Sequence, residues 1–108
     1  MAQFIYRLQP ARNAMLSEGP TPDEEESIAE HFEYLMKLAE AGSLILAGRT
    51  LNTDRSSFGI VLLETGCEER ARTLMLDDPG VRDGVFTAQL FPFRISVTPP
   101  APSCEGAK

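Results

Sequence analysis

The apolar residues fall into six segments whose periods are those of strand or helix, and their order constrains the fold more than any other feature. QFIYRLQ puts Phe4, Tyr6 and Leu8 on one side of an extended chain and Ile5 and Arg7 on the other, as a strand covered on one face requires. From Ile28 the period turns helical, with Phe32, Leu35 and Ala39 on one stripe and Met36 and Leu38 flanking it. SLILAGRT and SSFGIVLLET are aliphatic stretches separated by the polar LNTDRS, the pattern of a hairpin. Ala71, Leu74 and Met75 then mark a shorter helix, roughly Cys67 to Leu76. GVFTAQLFPFRISV is the last strand region, with an edge or a bulge at Pro92, because proline has no amide hydrogen to give to a ladder.

The ends of these segments carry their own signals. Thr21, Pro22 and Glu24 form a helix start: a threonine cap, a proline at the first helical position and a glutamate placed to close a capping box. The acidic run from Asp23 to Glu26 suits the positive end of the helix dipole. Gly42 stops this first helix after about five turns. Thr65 and Glu68 repeat the capping signature before the second helix, which ends at DDPG, where Pro79 forces Asp78 out of the helical region. PARNAMLSEGPTP has no period and reads as a loop over residues 10–21, long enough in a small domain to line a site.

The order β, α, β, β, α, β is that of a split βαβ, or ferredoxin-like, α+β domain: an antiparallel sheet with two helices on one face. With 108 residues and 43% hydrophobic composition the chain can bury one modest core. The expected division is one domain over residues 1–98 and a flexible tail over 99–108. Leu44, Ile45 and Leu46 are consecutive, which predicts a second strand buried on both faces. Two helices cover only one face, so a second copy is expected on the other, giving a homodimer and a dimeric α+β barrel.

A formal net charge of −6 gives no electrostatic reason to bind nucleic acid or an anionic membrane. No apolar run approaches the roughly 20 residues that span a bilayer, and the first residues lack the pattern of a secretory signal, so a cytoplasmic protein is expected. Cys67 and Cys104 make neither a disulfide framework nor a zinc site. Cys67, where the second helix begins, is either an incidental first-turn residue or a mildly activated thiol. With a single histidine, no glycine-rich phosphate loop and no nucleophile elbow, no metal and no cofactor are expected. Ser43, Ser56 and Ser57 stand in turn-like contexts and read as turn formers.

His31 is the residue that composition leaves for chemistry. At about 100° per residue from Ile28 it falls near −60°, inside the apolar stripe, whereas Glu30 and Glu33 point away. Two readings are open: a hydrogen-bonded core histidine or a catalyst. A catalytic imidazole usually needs a carboxylate to fix its tautomer, and Asp77 and Asp78 are the candidates, unless they only end a helix.

A histidine on the first helix, then AGSLILAGRT, then a second helix ending in DDP, then GVF and a last strand with PF resembles, in that order, the YCII-related proteins, small members of the dimeric α+β barrel superfamily. The resemblance covers roughly residues 3–97. It implies a ferredoxin-like dimer whose active site pairs His31 with Asp78. The family's chemistry includes cofactor-free lyase reactions on chlorinated aromatic compounds, and the superfamily includes lactone isomerases and cofactor-free oxygenases. The implied function is therefore a cofactor-free lyase or isomerase, in which His31 moves a proton of a small organic substrate while Asp78 orients it. The alternative is a non-catalytic domain that uses the same cleft for a small ligand or for assembly. The family usually has proline after the Ala-Gly of strand two, where this chain has Arg49. That arginine is either a substrate-binding fork for a carboxylate or a surface residue at a strand end.

Overall fold

The computed structural model describes residues 1–100; residues 101–108, with Cys104 and most of the expected tail, lie outside the described residues. Its elements are β1 (Ala2–Pro10), α1 (Ala14–Glu18), α2 (Pro22–Glu40), β2 (Leu44–Arg49), β3 (Gly59–Thr65), α3 (Glu68–Asp77), α4 (Pro79–Arg82) and β4 (Phe86–Phe93). The strands form one four-stranded sheet in the order β2-β3-β1-β4. Every neighbouring pair is antiparallel, which is the ferredoxin-like arrangement that the order of elements implies.

Strand parity places Phe4, Tyr6 and Leu8 of β1 beside Val61 and Leu63 of β3 on the inner face of the sheet. Leu35 and Leu38 of α2 and Ala71, Leu74 and Met75 of α3 cover them and complete the core. Burying one such leucine or valine contributes about 1.5–3 kcal/mol, so these rows hold the helices to the sheet. The Tyr34 hydroxyl donates to the Leu74 carbonyl at 2.6 Å and ties α2 to α3.

The first capping box forms as the sequence requires. The Glu24 amide donates to Thr21 Oγ1 at 3.2 Å, and the Thr21 amide donates to Glu24 Oε1 at 2.8 Å. Arg12, from the segment before α1, reaches Glu24 at 2.7 Å and anchors residues 11–20 to the start of α2. The second box does not form: Cys67 is the cap residue of α3 without a side-chain bond, and Thr65 Oγ1 donates to the Cys67 carbonyl instead. Two short helices were invisible to periodicity because neither is long enough to show one: α1 inside the expected loop, and α4, which begins at Asp78 and Pro79.

Pro92 lies in β4 in register with Phe4, and β4 is an edge strand, the place in a sheet where a missing donor is tolerated. Strand β2 differs from expectation. It is the opposite edge, it is exposed along most of its length within the single chain, and Leu46 is 48% exposed. Phe32 and Ala39 leave the predicted stripe, and Met36 beside it is exposed as well, because the buried side of α2 is the row Ser27, His31, Leu35 and Leu38, turned slightly from the row that apolar spacing picks out. No helix among the described residues is long and apolar enough to cross a membrane.

The capping box yields a test with a defined pH sign. Thr21→Ala should lower stability by about 1 kcal/mol in chemical denaturation. Arg12 first, and the bonds from Thr21, hold the Glu24 carboxyl down to about 2 from its ordinary value of 4.5. A depressed carboxyl stabilises the fold above its unfolded value and loses that contribution as pH falls through the folded one. The stability difference between the wild type and Glu24→Gln should therefore be present at pH 6 and shrink as pH falls from about 4.5 towards 2.

Candidate active site

Asp78 is forced into its position by local sequence. It closes α3 and caps α4, with Pro79 behind it, so its backbone is extended (φ −60°, ψ 122°) and its side chain turns back over the first turn of α4. The Gly80 amide donates to Asp78 Oδ1 at 2.9 Å. The carboxylate is fully buried at 0% exposure. An isolated carboxylate at such a place would cost several kcal/mol in lost hydration, and three donors from three elements offset that cost. Besides Gly80, the Tyr6 hydroxyl of β1 donates to Oδ2 at 2.7 Å, and His31 Nδ1 of α2 lies 2.6 Å from Oδ1.

These partners also bear on the tautomer. The Gly80 amide and the Tyr6 hydroxyl give one hydrogen bond to each carboxylate oxygen, an arrangement that suits an ionised Asp78 accepting a third from Nδ1–H of His31. Burial, and after it the Asp78 charge, pushes the Tyr6 phenol far above its ordinary range, so Tyr6 remains a donor. Nε2 of His31 is left as the free face of the imidazole. Among the described residues no buried side-chain nitrogen or oxygen lacks a partner. Nε2 makes no hydrogen bond, so it is reached from the cavity that His31 lines.

The ring is fixed on two sides. Its centroid is 5.2 Å from that of Phe32 and 5.3 Å from that of Phe86. Phe86 is in turn held against Gly80, where an added Cβ would lie 2.6 Å from the phenyl ring, so only glycine leaves room for this packing. Ser27 Oγ donates to Asp83 at 2.7 Å and Arg82 pairs with Glu30 at 3.3 Å, which brings α4 against α2 and keeps Asp78 at the histidine.

The cavity holds about 780 Å³ between α2, the segment around α1 and the inner side of β2 and β3. Phe32 and Met36, both outside the core, line it together with His31, Arg49, Ser57 and Phe58. Of the candidates named from sequence, the structure joins His31 to Asp78 and puts Arg49 on the same cavity. Asp77 is exposed, and Cys67 is exposed and does not line the cavity. Ser57 closes a turn as its context implies, its amide donating to the Asp54 carbonyl at 3.0 Å, and it is also buried and lines the cavity. Tyr6 was read only as a core strand residue, since no local pattern shows that a hydroxyl will meet a carboxylate 72 residues away. Among the described residues no group of three or more histidine, cysteine or acidic side chains could hold a metal ion.

The model of the YCII-related domain matches residues 4–94. The chain belongs to the YCII-related family. A comparison with curated protein sequences gives no significant match. Among solved structures, this YCII-related chain is similar to 5-chloro-2-hydroxyhydroquinone dehydrochlorinase (TftG) from Burkholderia phenoliruptrix AC1100, in complex with 2,5-dihydroxybenzoquinone. The TM-score is 0.62 at 17% identity, over 86% of this chain and 95% of that one, a likeness of fold.

Tyr6→Phe should keep the fold and remove one donor from the buried carboxylate. We expect a loss of about 1–3 kcal/mol in denaturant unfolding; an unchanged midpoint would show that Asp78 does not depend on this hydroxyl.

Proposed function

We propose that this protein is a cofactor-free enzyme of lyase or isomerase type, in which His31 is the general base toward a small organic substrate and Asp78 positions it. One observation carries the reading: an imidazole whose Nδ1 is bound to a fully buried carboxylate at 2.6 Å and whose Nε2 opens into an apolar cavity. The Asp78 charge stabilises the imidazolium that forms when Nε2 takes a proton. In an elimination, the electron pair of the broken C–H or O–H bond moves into the substrate and expels a leaving group. In an isomerisation, His31 returns the proton at another carbon. Both need only a base that can accept and return one proton, which the chain itself supplies. The dehydrochlorinase activity named for the structural neighbour is an elimination and fits the first form.

The outer face of the sheet supports a homodimer in this reading. Leu46, Phe91 and Phe93 are 48, 43 and 42% exposed there, on a side that no helix covers. A second copy of the same face would bury these side chains and remove them from water. Light scattering at micromolar concentration should give about twice the chain mass of 11.9 kDa; a monomer at that concentration would refute the dimer.

For catalysis, the substrate is first to be found by thermal-shift screening of small aromatic and lactone compounds. On it, His31→Ala and Asp78→Asn should each lower kcat by about 10² to 10⁴. The double variant should be little worse than either, because the two side chains act as one unit. Turnover at the wild-type rate by folded His31→Ala would end the reading.

A further inference from the structure

We infer that the cavity takes a small planar apolar molecule bearing a carboxylate, and that Arg49 holds that carboxylate. This rests on the proposal that the cavity is the substrate site.

The first support is a register shift. Leu44 of β2 pairs with Leu63 on the inner face, but Leu46 pairs with Leu62 on the outer one, so a bulge occupies one extra residue between them. Beyond it Ala47 pairs with Val61 and Arg49 with Gly59, both on the inner side. With unbroken alternation from Leu44, Arg49 would point outward; the bulge turns it toward the cavity. A Cβ built on Gly59 would lie 3.6 Å from that of Arg49 and 3.9 Å from that of Leu8, which puts both side chains on this face.

Charge is the second support. The chain carries 16 acidic residues against 10 basic ones, yet among the described residues no aspartate, glutamate or lysine lines the cavity, and Arg49 is the one permanently charged side chain there. Among the described residues Arg49 has no ion pair and no side-chain hydrogen bond, whereas Arg12, Arg72 and Arg82 each have a carboxylate partner. Beside the polar side chains of Asn52, Thr53 and Ser57 on a mainly apolar lining, an unpaired guanidinium offers a fork that matches a carboxylate with two parallel bonds. The flat side chains of Phe32 and Phe58 suit an aromatic body. Held in this way, a substrate presents its ring to Nε2 of His31.

The test uses matched probes: benzoate against benzamide, and 1-naphthoate against 1-naphthamide, titrated into the full chain by NMR. The wild type should prefer each carboxylate over its amide by about 10- to 100-fold, the range expected for a hydrogen-bonded charge pair. Arg49→Met should bring the ratio close to one with an unchanged melting temperature, and His31→Gln should keep the preference. Equal binding of acid and amide by the wild type would overturn the inference. So would a preference that survives Arg49→Met, or is lost only in His31→Gln, or no carboxylate binding up to about 10 mM. Because this readout is affinity, it fails independently of the turnover test on His31 and Asp78.

Discussion

A buried negative charge organises this molecule. Asp78 has no contact with water, and each of its three hydrogen-bond donors comes from a different part of the chain: Tyr6 from β1, His31 from α2 and Gly80 from α4. Losing any one of them would leave the buried carboxylate one partner short. The carboxylate that meets the imidazole is therefore also tied to the sheet through Tyr6 and to the first turn of α4 through Gly80. The candidate site and the fold share these hydrogen bonds.

Helix α2 serves two environments at once. Its row Ser27, His31, Leu35 and Leu38 faces the sheet and α4, while Phe32 and Met36, one position further round, face the cavity. An apolar stripe this wide is more than the sheet needs, and the surplus forms one wall of the cavity. Exposed apolar residues on α2 and on the outer sheet face thus have different meanings. Phe32 sits beside the imidazole at 5.2 Å, whereas Phe91 and Phe93 lie on the outer face of the sheet and do not line the cavity. The single bulge in β2 adds Arg49 to the first group, because one extra residue reverses the facing of everything after it.

The local grammar of the chain determined a good deal by itself. Two-residue periods in β1 and the hairpin, the long helical period from Ile28 and the Thr21 box are short-range properties, written in residues a few positions apart, and they led to the ferredoxin-like order of elements. The break at Asp78 was equally legible, since Pro79 acts on its immediate neighbour. What stayed open depended on contacts between distant segments. How the His31 ring is held turned on a carboxylate 47 residues away; one ring nitrogen meets it in the core, and the residue also lines the cavity. Tyr6 joined the site only through a contact 72 residues long. Helices α1 and α4 are too short to show a period, and the expected second capping box gave way to a different bond at Cys67. The side to which Arg49 points was decided by a ladder shift that no alternation of residue types reveals, because a bulge is a property of two strands paired and not of either one alone.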